Sequence, residues 1–220
     1  MRLQEKKMQE YRISDAVIRR LPKYYRYLSE LEAAGIERVS SSRMSKDMNL
    51  NASQIRRDLN CFGGFGQQGY GYQVSRLRIE IMRILGIGVP HNMIILGAGN
   101  IGQALLKYRN FAAEGYTITA VFDIDENIIG KETGGLVVRP LSELREYAQK
   151  NRVDVAIIAV PKQHAPGLAD ELAALGIKGI WNFAPADVAP KGVSVENVHL
   201  SDSLYVLSYR IREKNEGFKR

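Results

Sequence analysis

The sequence predicts a mixed α/β protein: a basic helical head ending in a glycine-rich wing, a doubly wound body with a parallel sheet, and a terminal helix. Three observations predict it. Apolar runs alternate with helical patterns from residue 93 to residue 183, the order that builds a parallel sheet covered by helices. A Gly-Ala-Gly-Asn-Ile-Gly turn, Gly97 to Gly102, follows the first of those runs. The net charge of +7 sits wholly in residues 1–90, which hold 16 Lys+Arg against 9 Asp+Glu, while residues 91–220 hold 15 of each.

The head divides in order. Residues 1–12 are polar and expected to fray. Ser14 caps a short helix ending near Leu21, and Pro22 fits the first turn of a helix that runs to Ala34 and stops at Gly35. Tyr24, Tyr27, Leu28 and Leu31 share one face of that helix and read as core. Ser42 opens a second helix through Met48, and Asn51 or Ser53 caps a third from Gln54 to Cys61. Five glycines in nine residues (Gly63, Gly64, Gly66, Gly69, Gly71), with Phe65, Tyr70 and Tyr72, then read as a two-stranded wing. A helix from Ser75 to Leu85 closes the head, and Gly86 to Pro90 is a linker. The expected domains are 1–86, 91–199 and a terminal segment 200–220.

In the body, strands are expected at 93–96, 117–122, 153–160 and 177–183, with weaker ones at 136–138 and 193–199. Helical patterns fill 100–113, 142–150 and 164–175. The run Val153 to Val160 is nearly continuous in β-branched and small residues, as in a strand buried on both faces. Residues 201–214 read as a final helix with Leu204, Leu207 and Ile211 at helical spacing.

The glycine turn carries the most specific chemistry. Gly97 allows the tight turn, Gly99 lets backbone approach a pyrophosphate, and Gly102 permits close helix–strand packing. Ala98, Asn100 and Ile101 complete the loop and helix start. Asp123 ends the next apolar run, 21 residues after Gly102, where a carboxylate accepts hydrogen bonds from a ribose diol. Strand before, helix after and acid downstream together point to a dinucleotide. The surplus of head charge points to an anionic polymer. Within it, Ser53, Gln54, Arg56 and Arg57 lie on the third helix, whose Ile55 and Leu59 anchor it to the core. Arginine grips phosphate or binds a guanine edge bidentately. Gln67 and Gln68 occupy the wing tip, with Tyr70 beside them.

Other groups are weighed more plainly. His91, His164 and His199 show no metal-ligand spacing, so no metal site is expected. His164 follows Val160-Pro161 at a strand end, where it is either a general acid or, by default, an ordinary helix-start residue. Tyr108 is packing or part of a nicotinamide pocket. Asn182 bonds a ligand or satisfies its own loop. Cys61 defaults to a small buried hydrophobe, with a thiol switch as the alternative. One cysteine fits a reducing cytoplasm, the charged N-terminus lacks a secretory h-region, and no apolar stretch nears the roughly 20 residues of a membrane helix.

The combination Val39-Ser40-Ser41, Ile55-Arg56-Arg57-Asp58, Phe62-Gly63, Gly69-Tyr70-Gly71-Tyr72 and Gly97 to Gly102 resembles the Rex family of redox-sensing transcriptional repressors. The likeness continues through Phe122-Asp123-Ile124-Asp125, Val160-Pro161, Leu175 to Ile180 and Asn182-Phe183-Ala184-Pro185. It implies a winged-helix head, a Rossmann-like body binding NADH and NAD, a homodimer, and a terminal helix exchanged between subunits. It also implies release of double-stranded operator DNA on NADH binding. Under that likeness Gly97, Gly99, Gly102 and Asp123 hold the dinucleotide, Tyr108 sits at the nicotinamide, and Arg26 takes part in the switch. The chain departs from the pattern where family members carry an aspartate and a phenylalanine, having His199 and Leu200 instead. Asp202 is then the nearby carboxylate available to Arg26. Gln67 and Gln68 replace basic wing residues.

Two rivals remain at this stage. An NAD-dependent dehydrogenase needs a second substrate site and an acid/base pair, and neither is visible, so no catalytic residue is assigned. The body also resembles CoA-binding domains of the succinyl-CoA synthetase type, which share the glycine turn; Asp123 favours an unphosphorylated ribose over both CoA and NADP.

Overall fold

The computed structural model describes residues 13–63, 66–67 and 70–216, with the side chains of residues 66, 67 and 216 excepted. The expected fraying of residues 1–12 and the wing-tip roles of Gln67 and Gln68 therefore lie outside what is described. The chain forms two compact units, Met1–Ile87 and Gly88–Arg220.

The first unit starts with α1 (Asp15–Ile18) and α2 (Leu21–Ala33). Pro22 sits in the first turn of α2, and Gly35, at φ +70°, takes the left-handed conformation that ends it. Tyr24, Leu28 and Leu31 recur at helical spacing and are buried, whereas Tyr27 is only half-buried and donates to Asp47. Next come β1 (Arg38–Val39), α3 (Ser41–Met48) and α4 (Ala52–Asn60). Ser40, not Ser42, caps α3, its Oγ accepting from Arg43 N at 3.1 Å. Asn51 caps α4, its Oδ1 accepting from Ser53 N at 2.8 Å. Ser14 precedes α1 but makes no side-chain cap bond.

The wing is the expected antiparallel pair, and a third strand from earlier in the chain joins its sheet. β2 (Gly66–Gln67) and β3 (Gly71–Gln73) pair antiparallel, and β1 adds to the other edge of β3, with Arg38 opposite Gln73. α5 (Val74–Leu85) ends at Gly86, φ +69°, and packs on α2. Leu21, Tyr24, Leu28, Met44, Ile55 and Leu59 meet Leu77 and Ile81 in one core. Four helices and a small sheet around that core make a winged helix. Cys61 is exposed, which corrects the expectation of a buried hydrophobe. It follows the last turn of α4, where Leu59 already fills the core, so its side chain faces solvent and its thiol donates to Arg57 O at 3.3 Å.

The second unit holds a seven-stranded sheet. Its strands are β4 (His91–Leu96), β5 (Tyr116–Asp123), β6 (Glu132–Thr133), β7 (Leu136–Pro140), β8 (Val155–Ile158), β9 (Gly179–Asn182) and β10 (Ser194–Asn197). The order is β10-β9-β8-β4-β5-β7-β6, parallel except for the short hairpin β6–β7. Without β6 this is the Rossmann order, with its topological switch beside β4. Alternation along β4 explains the two cores. Ile94 and Leu96 face α8 (Leu144–Lys150) and α9 (Ala165–Ala174), with Phe122, Ile158 and Leu172. Met93 and Ile95 face the opposite way, with Val121, Ile157 and Leu105 of α6 (Asn100–Leu106).

The helix expected over 100–113 is broken. α6 ends at Leu106 and α7 (Asn110–Ala113) begins after Lys107-Tyr108-Arg109. The Phe111 ring then packs edge-on against Trp181 of β9, 5.9 Å between centroids. The crossover from β9 to β10 contains no helix, so Phe111, Tyr116, Val155, Trp181 and Val195 line an open apolar hollow of about 440 Å³ on that face. α10 (Leu200–Glu216) closes the described chain, with Leu200, Leu204, Tyr205, Leu207, Tyr209 and Ile211 all more than half exposed.

Candidate dinucleotide cleft and nucleic-acid interface

The carboxyl ends of β4, β5 and β8 converge on a cavity of about 280 Å³. The glycine turn forms its floor. Gly97 is at φ +101°, and a Cβ there would lie 2.4 Å from Ala159 O; a Cβ on Gly102 would lie 1.9 Å from Gly97 O. Both positions are glycine because the fold leaves no room. Gly99 differs, with open space around its would-be Cβ. Among the described residues nothing forbids a side chain at Gly99, so packing within the fold does not account for the glycine there.

Asp123, at the end of β5, lines the same cavity. Its Oδ2 accepts from Ala98 N at 2.6 Å, and its Oδ1 accepts from Ile124 N at 2.7 Å and Asp125 N at 3.0 Å. A carboxylate has about four lone-pair sites, so these three bonds aim the Asp123 side chain and leave room for a further donor. Val160 and Pro161 line the cavity, as does His164 at the start of α9. Leu96, Phe122, Ile124, Leu141, Ala159 and Leu168 complete the wall. None of these six stands out in the sequence as a ligand contact. Ile124 and Leu141 follow strand ends, which is the signal that places ligands in doubly wound sheets.

The other expected cofactor residues are placed differently. Ala98 contributes its backbone to Asp123, and Asn100 and Ile101 begin α6 beside the cavity without lining it. Tyr108 stands half-exposed in the break after α6, its ring 4.8 Å from that of Phe111. Asn182 is fully buried and spends its amide on the loop: Nδ2 donates to Ala186 O and Asn197 Oδ1, and Oδ1 accepts from Ala184 N at 3.0 Å. That geometry answers the question left open by sequence in favour of the loop.

The switch candidates fall on both units. Arg26 lies on the exposed side of α2. His199 Nε2 meets Asp187 Oδ1 at 2.8 Å, and that hydrogen bond lifts the imidazole above its ordinary pKa. Leu200 and Asp202 are exposed in the first turn of α10.

In the head, α4 presents its arginines from a fixed base. Arg56 reaches Ser41 Oγ at 3.1 Å and Ser53 Oγ at 3.0 Å, so it sits between the starts of α3 and α4. Arg57 donates to Gln54 Oε1 at 3.0 Å. Both guanidinium groups are exposed, and Tyr70, 70% exposed, stands beside Arg38 with its carbonyl accepting from Arg38 at 3.4 Å. Sequence reasoning missed Asp58, a fully buried residue of α4. Among the described residues no cluster of His, Cys, Asp or Glu has metal-site geometry, and no helix is long and apolar enough to cross a membrane.

Two family models match. Residues 12–60 match a putative DNA-binding protein N-terminus, and residues 89–186 match a CoA binding domain. Among curated proteins, the chain is 49% identical over 206 residues to the redox-sensing transcriptional repressor Rex of Clostridium acetobutylicum, covering 93% of this chain and 96% of the relative. It is 51% identical over 202 residues to the protein of the same name from Clostridium botulinum, covering 91% and 96%. Among solved structures, RSP, a Rex-family repressor, superposes with a TM-score of 0.86 at 43% identity, over 94% of this chain and 97% of that one. RSP in complex with β-NAD+ and operator DNA gives 0.86 at 44% identity, covering 96% and 100%. The complex of RSP with β-NADH gives 0.86 at 42%, covering 94% and 97%.

Proposed function

The chain belongs to the Rex family of redox-sensing transcriptional repressors, and from that premise we propose that it represses transcription in the cytoplasm as a homodimer released from operator DNA by NADH. The observation that carries the reading is the pairing of an exposed Arg56–Arg57 helix with a Gly99 turn open to a ligand. The CoA binding domain model matches residues 89–186, which include the glycine turn, and Asp123 favours a free ribose diol over a phosphorylated ribose. Gly97, Gly99 and Asp123 bind the dinucleotide with Val160 and Pro161, while Ala98, Asn100, Ile101 and Gly102 shape the turn. Ser53, Gln54, Arg56, Arg57, Gln67, Gln68 and Tyr70 are the residues assigned to DNA.

Oxidised nicotinamide is cationic and the reduced ring is neutral, so an apolar enclosure prefers NADH. Tyr108 and Leu200 are the enclosing residues, Leu200 coming from the exchanged α10 of the second subunit. Arg26 takes part in the switch, as do His199, which is held by Asp187, Leu200 and Asp202.

The test is operator binding by the arginine variants. Arg56→Ala and Arg57→Ala each weaken operator binding by about 1–3 kcal/mol, read by fluorescence anisotropy. Affinity unchanged in both variants would remove α4 from the DNA.

A further inference from the structure

Two of the side chains expected to read DNA, Gln54 and Arg57, are held by a group that is not itself exposed. Asp58 is fully buried, and four hydrogen bonds converge on its carboxylate. Arg20 forks onto it, Nε to Oδ2 at 2.6 Å and Nη2 to Oδ1 at 2.9 Å. The Tyr24 hydroxyl donates at 2.7 Å, and Gln54 Nε2 donates to Oδ1 at 2.6 Å. Burial pushes the Asp58 carboxyl up, but the bonds from Arg20, Tyr24 and Gln54 outweigh it and hold the group below the usual carboxylate range. It is therefore ionised at neutral pH and able only to accept.

That restriction has a consequence for Gln54. An amide side chain has a donor end and an acceptor end that are sterically interchangeable. Against an acceptor-only carboxylate, the Gln54 NH2 must turn inward and the carbonyl outward. The outward Oε1 meets Arg57 Nη2 at 3.0 Å, and a guanidinium only donates. Each link fixes the next, from a buried anion to an amide of set polarity to an arginine of set direction. Arg56 belongs to a different arrangement, bonded to two serine hydroxyls at helix starts, a setting that suits a phosphate.

We propose that Asp58 is a positioning residue for sequence specificity: it fixes the polarity of the Gln54 amide, which aims Arg57 at one base of each half-site while Arg56 grips the backbone. The inference rests on the reading of α4 as the DNA-contacting helix. An asparagine at position 58 keeps the shape of the side chain but offers both a donor and an acceptor, so Gln54 gains two orientations, one of which turns NH2 toward Arg57.

The test uses the full-length chain without NADH and a duplex pool randomised over about two helical turns, from which bound sequences are selected. The unmodified chain selects a palindrome, and Arg57→Ala identifies the base pair its arginine reads by losing preference there. Asp58→Asn loses preference at the same base pair, about tenfold, as expected of a weakened bidentate contact. Its salt dependence stays that of the unmodified chain, because the phosphate contacts are unchanged. Tyr24→Phe removes another bond to Asp58, lowers the melting temperature and keeps the base preference. Gln54→Ala removes one of the four bonds to Asp58, leaves the Arg20 fork and the Tyr24 bond in place, and loses the preference at the Arg57 base pair, so the relay is still tested if Asp58→Asn fails to fold. In the Gln54→Ala background, Asp58→Asn changes preference no further. An Asp58→Asn or Gln54→Ala protein that keeps the preference at the Arg57 base pair overturns the inference alone. Failure of the unmodified chain to enrich any sequence overturns the reading of α4 as well.

Discussion

A Gly99→Val chain keeps its body folded and loses NADH binding, by about a hundredfold or more, roughly 2.8 kcal/mol. A Gly102→Ala chain shows the opposite pattern. The difference follows from what each added carbon meets. At Gly99 nothing lies within 4 Å of an added Cβ, so valine meets only the ligand, and its branches stand where a pyrophosphate must approach the backbone. At Gly102 the first added carbon falls 1.9 Å from Gly97 O, and overpacking of that kind costs about 1–3 kcal/mol or more. The body of Gly102→Ala therefore melts lower with or without NADH, whereas Gly99→Val melts normally and is no longer raised by NADH. Calorimetric titration and a thermal melt separate the two. NADH affinity unchanged in Gly99→Val would place the pyrophosphate elsewhere.

A chain ending at His199 is monomeric and loses operator affinity by about 10²-fold or more. α10 leaves Leu200 61%, Leu204 59%, Tyr205 69%, Leu207 51%, Tyr209 60% and Ile211 52% exposed. Apolar surface of that extent marks an interaction site. Two heads held together turn the second half-site contact into an intramolecular step, and separation forfeits that gain. Light scattering reads the mass and anisotropy the affinity. A truncated chain that stays dimeric with full operator affinity removes α10 from assembly.

Much of this architecture was legible because the decisive signals are local. The run around Val155–Ile158, the glycine turn and the acid at the end of β5 each declare themselves within a few residues. Cap choice was less legible. Ser40, Ser41 and Ser42 are chemically equivalent caps, and the packing of Met44 and Met48 selects Ser40. The break at Lys107-Tyr108-Arg109 contains neither glycine nor proline; it accompanies the packing of Phe111 on Trp181, 70 residues away. The cleft was half legible. Gly97, Gly99, Asp123, Val160 and Pro161 carry motif signals, while Leu141 and Leu168 carry none and are brought to the cleft by the strand ends. Asp58 escaped for the same reason, since Arg20 and Tyr24 lie 38 and 34 residues before it.

The central claim is that one ligand opposes the other. A ligand shifts an equilibrium only by its differential affinity for the two states, so NADH must bind the DNA-free form more tightly. Coupling is reciprocal. NADH affinity measured by calorimetry, with and without saturating operator duplex, is expected to fall in the presence of DNA by the same factor by which NADH weakens operator binding. Identical NADH affinity in the two titrations would contradict the account, leaving a protein that binds both ligands and senses neither through the other.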